Sequence, residues 1–446
     1  MTEPGSLGAL LPVWTIAPFA GMLLAIALLP LAAPNFWSHD GNRAAVAAGF
    51  ALPVLVYLPA AHGAAGTHVL LEKGAEYVSF LALITSLFVI SGGIHVRGSL
   101  SGTPLMNTAL LALGALLASW IGTTGASVLL IRPLLRANET RERKAHIVVF
   151  FIFIVSNCGG LLTPLGDPPL FLGFLKGVPF EWTLRLWKEW LLVNGGLLVI
   201  FDLLDQAIFA REERERPGSQ LEEVQIHEPI AIEGAHNVAW LLGVVAVIYA
   251  AGRGLGHGGT PWAFGVQELC MLALATLSYV ATDDRIHARN HFSFAPIVEV
   301  AILFAGIFAT MAPALLLLNA HAAGFGIREP WHFFWASGAL SSFLDNAPTY
   351  LTFAATACGL DGIPPDGRYL AHYLAQGPHA HATLAAISCG SVLMGANTYI
   401  GNGPNFMVKA IAEQRGVAMP GFFGYMAWSG AVLIPVFALS TFVFFI

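Results

Sequence analysis

Long apolar stretches, separated by short polar segments, dominate the pattern of this chain. A helix needs about 20 apolar residues to cross the roughly 30 Å hydrocarbon core of a bilayer. The pattern therefore predicts an all-α polytopic membrane protein with about ten transmembrane helices. The predicted spans are residues 12–33, 43–61, 75–94, 146–176, 189–210, 236–254, 264–281, 296–318, 381–411 and 425–446.

Four segments carry polar residues where a plain span would be apolar. Residues 105–135 and 331–357 have a polar centre and are too short for two crossings, so we expect two re-entrant hairpins. Residues 146–176 and 381–411 contain Gly, Pro and polar side chains near mid-span. Because lipid satisfies no backbone hydrogen bonds, broken backbone at that depth is tolerated where it lines a cavity in the protein. We therefore predict two broken helices around a site for a small solute.

The polar centres recur along the chain, which indicates an internal repeat. Each half contains an odd number of spans, so the second half would enter the membrane from the opposite face. We predict two inverted-topology repeats, residues 1–210 and 236–446, joined by a charged cytoplasmic linker over 211–235. The residues that reappear with the same spacing are Ser156, Gly160, Thr163, Gly166 and Pro169, as Ser391, Gly395, Thr398, Gly401 and Pro404; Asp167 falls on Asn402.

Composition agrees with a membrane protein and excludes several other classes. Charged residues make up 11% of the chain, against about 25% in a soluble protein. The net charge of −6 argues against a nucleic-acid partner. The four cysteines form no Cys-x-x-Cys motif, so we expect neither a zinc site nor a disulfide framework, and no cofactor. Residues 12–33 lack a basic leader and a cleavage site and are expected to be a true span.

The distribution of Lys and Arg predicts the orientation in the membrane. With the N-terminus outside, about two thirds of the 21 Lys and Arg residues fall on the cytoplasmic side, as the positive-inside rule requires. The central linker is then cytoplasmic, and the expected location is a bacterial-type cytoplasmic (inner) membrane. Asp205, near the end of the span over 189–210, is expected at the membrane interface.

The hairpin tips and broken centres supply the candidate site residues. They offer hydroxyl, amide and carboxylate oxygens, which suit hard cations such as sodium, and no Lys or Arg lies at these centres. Burial favours the protonated form of a carboxyl group, so Asp167 and Asp345, with Glu299 as a third acid, are candidates for proton coupling. The candidate ion- or substrate-binding residues are Thr123, Thr124, Ser156, Asn157, Thr163, Gly166, Asp167, Asp345, Asn346, Thr349, Asn397, Thr398, Gly401, Asn402 and Asn405.

Three motifs resemble those of the ion-transporter superfamily, which includes sodium/proton antiporters, arsenite permeases, and citrate and dicarboxylate carriers. SNCGGLLTPLGDPP at 156–169 and LDNAPT at 344–349 resemble the antiporter and arsenite-permease branch. GANTYIGNGPNFMVK at 395–409 resembles antiporter and citrate-transporter-like proteins. The resemblance implies alternating access, a commonly homodimeric assembly and a cation site. The implied cation-site residues are Ser156, Asn157, Asp167, Asp345, Asn346, Asn397 and Thr398.

One departure from the family pattern concerns the first hairpin. Its tip reads IGTT at 121–124, where related antiporters carry Leu-Asp-Asn and the dicarboxylate branch carries Ser-Asn-Thr. The leading hypothesis is a secondary transporter, not an enzyme, that exchanges sodium or another cation for protons. The alternative is an anion permease for arsenite or a carboxylate such as citrate. An intramembrane aspartyl protease is disfavoured because residue 164 is Pro where that family's motif has Gly, and a channel because paired broken helices indicate alternating gates.

Overall fold

The computed structural model describes residues 4–97, 101–215, 231–258, 260, 262–290 and 292–446, and within them the protein is almost entirely helical. Five short 3₁₀ segments, Val13–Ile16, Cys158–Leu161, Phe180–Leu186, Ala322–Phe325 and Met394–Asn397, lie between the α-helices. The helices are α1 (Pro4–Leu10), α2 (Ala17–Ala32), α3 (Pro34–Trp37), α4 (Asp40–Gly92), α5 (Pro104–Ile121), α6 (Thr123–Ala137), α7 (Ala145–Ile154), α8 (Pro168–Leu175), α9 (Trp187–Glu215), α10 (Asn237–Arg253), α11 (Val266–Ala281), α12 (Asp284–Arg289), α13 (Ala295–Ala320), α14 (Pro330–Ser341), α15 (Asn346–Leu360), α16 (Tyr369–Leu374), α17 (Pro378–Leu393), α18 (Gly403–Gln414) and α19 (Phe422–Phe444).

The helices have the length and composition of an integral membrane protein. Among the described residues, 6 helical segments are long and apolar enough to cross a bilayer. One of them, α4, consists of two helical halves on either side of a sharp kink at Gly63, which correspond to the predicted spans 43–61 and 75–94. The φ of +55° at Gly63 is a left-handed conformation that glycine adopts without steric cost.

The predicted hairpins and broken helices are present as helical elements. Helices α5 and α6 meet at Gly122, whose φ of +80° permits the sharp turn, and α14 and α15 meet across 342–345. Helices α7 and α8 are separated by a 3₁₀ turn and an extended residue, as are α17 and α18. That the hairpins are re-entrant and the repeats inverted stays a prediction.

A two-stranded antiparallel sheet is the exception to the predicted all-α fold. Strand β1 (His95–Arg97) pairs with β2 (Ala231–Glu233), with Val96 opposite Ile232. The predicted linker over 211–235 is described only at its ends, where α9 extends to Glu215 and β2 begins at Ala231. Residues 216–230 lie outside the described part of the chain.

The same contacts recur in the two halves of the chain. In the first half, the Thr163 hydroxyl donates to the carbonyl oxygen of Ser119. In the second half, Thr398 Oγ1 donates to the carbonyl oxygen of Ser342 at 2.5 Å. Each contact fixes a residue of the broken centre against the hairpin of its own half. This recurrence accords with the internal repeat in the sequence.

A buried ionic cluster ties the base of the first hairpin to α9. Asp205 is fully buried within the protein, and three donors surround its carboxylate. These are Arg141 Nη1 at 2.7 Å, His146 Nε2 at 2.8 Å and Asn107 Nδ2 at 3.0 Å. Arg141 also contacts Glu212 through Nε at 3.1 Å. The sequence showed the charges but not the tertiary contacts that bury them.

A second ionic cluster lies at the C-terminal end of α8. Lys176 is 2% exposed and its Nζ lies 2.7 Å from Glu72 Oε1 and 2.5 Å from Glu76 Oε1. Lys73 also pairs with Glu76, at 3.0 Å. The cluster fixes the end of the first broken helix to α4.

Candidate central transport site

One cavity collects the hairpin tips and the broken centres. It has an empty volume of about 840 Å³ and opens between α4, α13 and the four interrupted elements. None of the described residues that line it is Lys, Arg or His. The predicted site residues on its wall are Thr123, Thr124, Gly166, Asp167, Asp345, Asn346 and Asn402.

Four helices begin at this cavity. The first residues of α6, α8, α15 and α18 all line it. Proline at the first or second position of α8 and α18 suits a helix start because it lacks an N–H that would be left without a partner. Each helix N-terminus carries roughly half a positive charge. The backbone therefore brings about two units of positive potential to the cavity, which offsets about two carboxylates.

Asp167 is held by side chains from both halves of the chain. It is 1% exposed and precedes α8 in an extended conformation. Its Oδ1 accepts a hydrogen bond from Thr123 Oγ1 at 2.9 Å, and its Oδ2 accepts one from Asn346 Nδ2. The tip of each hairpin therefore contacts the same carboxylate, and a change in that group's charge would act on both hairpins.

Asp345 and Asn346 supply further oxygens at the second hairpin tip. Asp345 Oδ1 caps α15 by accepting from the Ala347 N–H at 3.0 Å, and the residue is partly exposed. With Nδ2 of Asn346 donating to Asp167, Oδ1 of Asn346 is a buried acceptor without a donor in the described structure. An unsatisfied buried oxygen is costly and would be satisfied by a cation or a protonated ligand beside the two aspartates.

An amide cluster joins the two broken centres behind the cavity wall. Asn157 Nδ2 donates to Asn405 Oδ1 at 2.7 Å, and Asn157 Oδ1 accepts from Asn402 Nδ2 at 3.1 Å. Asn405 Nδ2 in turn donates to the carbonyl of Thr398 at 2.9 Å, while Ser156 Oγ lies 2.8 Å from Ser127 Oγ. The asparagines connect the two centres to each other; Asn402 also lines the cavity, whereas Asn157, Asn405 and Ser156 do not.

Other predicted site residues stabilise the turns of the broken helices. The hydroxyls of Thr163 and Thr398 are both committed to hairpin carbonyls. A Cβ on Gly401 would lie 2.6 Å from the carbonyl oxygen of Gly395, so the turn requires glycine. Asn397 Nδ2 donates to the hydroxyl of Ser342 at 2.9 Å, and its Oδ1 is buried without a donor in the described structure.

Thr349 and Glu299 also lie off the cavity wall. Thr349 Oγ1 donates to the carbonyl oxygen of Asp345 at 2.9 Å, within α15. The Glu299 carboxylate lies 3.3 Å from Arg43 Nη2 and is 39% exposed, whereas its neighbours Ile297 and Val300 line the cavity.

Comparison with known proteins identifies the family to which this architecture belongs. Residues 8–445 match the CitMHS_2 family, described as "Putative citrate transport". The chain belongs to this family. The match covers nearly the whole chain and agrees with the citrate-transporter-like resemblance of its motifs. A search of the curated proteins found no match.

The apolar wall of the cavity in this CitMHS_2 member was not predicted. Phe80 and Leu87 of α4 and Phe304 of α13 face the two aspartates across the cavity. In the sequence these residues belong to ordinary apolar spans, and nothing in their spacing separates a cavity wall from a lipid-facing side. An apolar wall suits the carbon skeleton of an organic substrate. It therefore supports the alternative that the site holds a larger organic substrate and not a cation alone.

Proposed function

We propose that the protein is a secondary active transporter that carries a carboxylate of the citrate class together with sodium ions or protons. The proposal depends on which charges surround the central cavity. Four helix N-termini favour an anion, while two aspartates and an unsatisfied amide oxygen favour cations. A cation or proton on Asp167 and Asp345 would leave the positive N-termini free to hold a carboxylate.

The description of the family supports this cargo. A lone sodium ion would not need the apolar wall of the cavity. A multivalent anion could not enter beside two ionised carboxylates without a compensating charge, since no basic side chain is among the described lining residues. Coupling therefore follows from electrostatics: the anion binds only after the aspartates have been neutralised.

A second candidate is exchange of sodium or another cation for protons, without a carboxylate. The absence of Lys, Arg and His from the described cavity wall favours it. In this case the aspartates would bind a cation and protons alternately, and the helix N-termini would serve to stabilise their ionised forms. Because Glu299 lies outside the cavity and is paired with Arg43, proton coupling would rest on Asp167 and Asp345.

The remaining features of the proposal follow from sequence. Alternating access between two inverted repeats would move the cavity opening from one face to the other. The N-terminus would lie outside a bacterial-type inner membrane and the linker in the cytoplasm. The lipid bilayer and the transported solute are the expected partners, and a homodimer is the expected assembly.

Uptake into proteoliposomes tests the proposal. Labelled citrate would be supplied outside with a sodium gradient, a pH gradient or neither, while a trapped dye reports internal pH. We expect that citrate accumulates above its external concentration only when at least one gradient is present, and that uptake falls at least tenfold in Asp345→Asn. Asparagine can still cap α15, so the fold should survive. Asp361→Asn, at the exposed opposite end of the same helix, is the matched control and should transport normally.

The outcomes separate the two candidates. Accumulation of citrate above its external concentration without either gradient would contradict coupling through the aspartates. If citrate is not taken up but sodium changes internal pH in the wild type and not in Asp345→Asn, the second candidate replaces the first. If neither citrate nor cations move, both are wrong.

A further inference from the structure

A second cavity lies at the opposite end of α8 from the central site. It has two adjoining lobes, with empty volumes of about 610 and 540 Å³, and Phe174, Gly252 and Arg368 line both. Helix α8 contains 8 residues, so about 12 Å of helix separates the two cavities. The rings of Phe171, on the central cavity wall, and Phe174 stack between them at 6.0 Å.

Two hydrogen-bond donors at this outer cavity have no acceptor. Gln267 lines the first lobe and is 8% exposed, yet its amide nitrogen is buried without a partner in the described structure. Arg368 is exposed, lines both lobes, and its guanidinium forms no ion pair with the described residues. A buried unsatisfied donor is costly, and an unpaired guanidinium beside it matches the planar oxygens of a carboxylate.

The acidic side chains of the outer cavity are already occupied. Glu268 accepts from Ser79 Oγ at 2.5 Å through one oxygen and from the Gly265 N–H at 2.8 Å through the other. Glu181, at the rim, pairs with Arg253. The carboxylate oxygens at this cavity thus already have donors, whereas Arg368 and Gln267 keep donors for a ligand. The side-chain charges of this cavity balance one another, whereas the side-chain charge of the central cavity is negative.

The walls provide a surface for the carbon skeleton of a ligand. Phe174 and Trp262 flank the first lobe, and Phe180 and Tyr249 flank the second. Trp262 is held in place because its Nε1 donates to the carbonyl of Leu255 at 2.8 Å. Its ring therefore has a fixed position, and its fluorescence would change when a ligand binds in the cavity.

We propose that this outer cavity binds a free carboxylate anion through Arg368 and Gln267 before the anion reaches the central site. The proposal rests on the proposed citrate transport in its choice of ligand. On the predicted orientation the cavity faces outside, and the carboxylate would arrive there without having to displace a cation. It would then pass to the helix N-termini once the aspartates are neutralised.

Equilibrium binding tests this proposal independently of transport. Citrate would be added to the detergent-solubilised protein while tryptophan emission is recorded, and the part of the change that is absent in Trp262→Phe is assigned to the cavity. Loss of a hydrogen bond to a charged group weakens binding by about tenfold or more. We expect that loss in Arg368→Gln and a smaller one in Gln267→Leu. Arg328→Gln, an exposed arginine on the same predicted face that lines neither lobe, should bind as the wild type does.

Asp345→Asn distinguishes failure of this inference from failure of the proposed function. It should lose uptake and keep the Trp262 response to citrate. The inference is wrong if citrate produces no Trp262-dependent change, or if Arg368→Gln and Gln267→Leu respond as the wild type does. It is also wrong if the Trp262-dependent change in emission appears only when phosphatidylglycerol replaces phosphatidylcholine around the reconstituted protein, and not when citrate is added. The cavity would then hold a lipid headgroup.

Discussion

Replacing Asp205 with Asn should destabilise the protein strongly although the residue is remote from the central cavity. Asp205 is fully buried and accepts hydrogen bonds from Arg141, His146 and Asn107. Removing one partner of a buried ion pair costs about 3–5 kcal/mol because the other charge is left without compensation. Arg141 would keep Glu212 at 3.1 Å, so we expect the lower end, about 3 kcal/mol.

Thermal unfolding in detergent, followed by circular dichroism, measures this effect. A loss of that size should lower the midpoint by on the order of 5–10 °C. Arg211→Gln is the control, because the Arg211–Glu215 pair is exposed and such pairs contribute at most about 1 kcal/mol. The double variant Asp205→Leu with Arg141→Met should recover part of the loss, because both members of the Asp205–Arg141 pair are removed, while Glu212 loses its contact with Arg141. If Asp205→Asn is no worse than Arg211→Gln, or if the double variant recovers nothing, the unpaired-charge argument fails.

Three further substitutions test the central site and its supports. Gly166→Ala would place a Cβ 2.1 Å from the carbonyl oxygen of Gly160, where neither backbone can yield. Thermal unfolding should show a loss of about 3 kcal/mol in the free energy of unfolding. The control Gly430→Ala, with open space around it, should be neutral. Thr123→Val keeps the side-chain shape but removes a hydrogen bond to the Asp167 carboxylate. The sodium or proton concentration for half-maximal uptake should therefore shift about tenfold. If that concentration is unchanged, Asp167 does not bind the coupling ion. Lys176→Met leaves two glutamates without their shared ammonium group and should lower stability by about 3–5 kcal/mol, whereas a loss below about 1 kcal/mol would mean that the cluster is solvated.

The parts of the fold that sequence could predict are those fixed by local chemistry. Clusters of glycine, proline and polar residues inside an apolar stretch indicate an interrupted helix, so the breaks at 155–167 and 394–402 were visible from composition, whereas a single proline such as Pro313 leaves α13 unbroken. Likewise, polar tips within short apolar segments indicated the turns at Gly122 and at 342–345. Element boundaries agree to within a few residues because the breakers themselves define them.

The parts that sequence could not predict depend on contacts between distant segments. The burial of Asp205 depends on donors from three other segments. The kink at Gly63, which separates the two helical halves of α4, was not singled out in the sequence. The short sheet pairs strands from either side of the linker, and two 3-residue segments have too little pattern to be recognised.

The substitution of Asp167 by Asn402 between the two halves explains why a symmetric scaffold can hold an asymmetric charge. Both residues precede a half-helix in an extended conformation and both line the cavity. Asn402, however, donates to Asn157 Oδ1, whereas Asp167 can only accept while it is ionised. If both positions carried aspartate, three carboxylates including Asp345 would exceed the roughly two units of positive potential from the helix N-termini. The asparagine therefore keeps the charge of the cavity close to balance, so that one cation or proton can decide whether an anion binds.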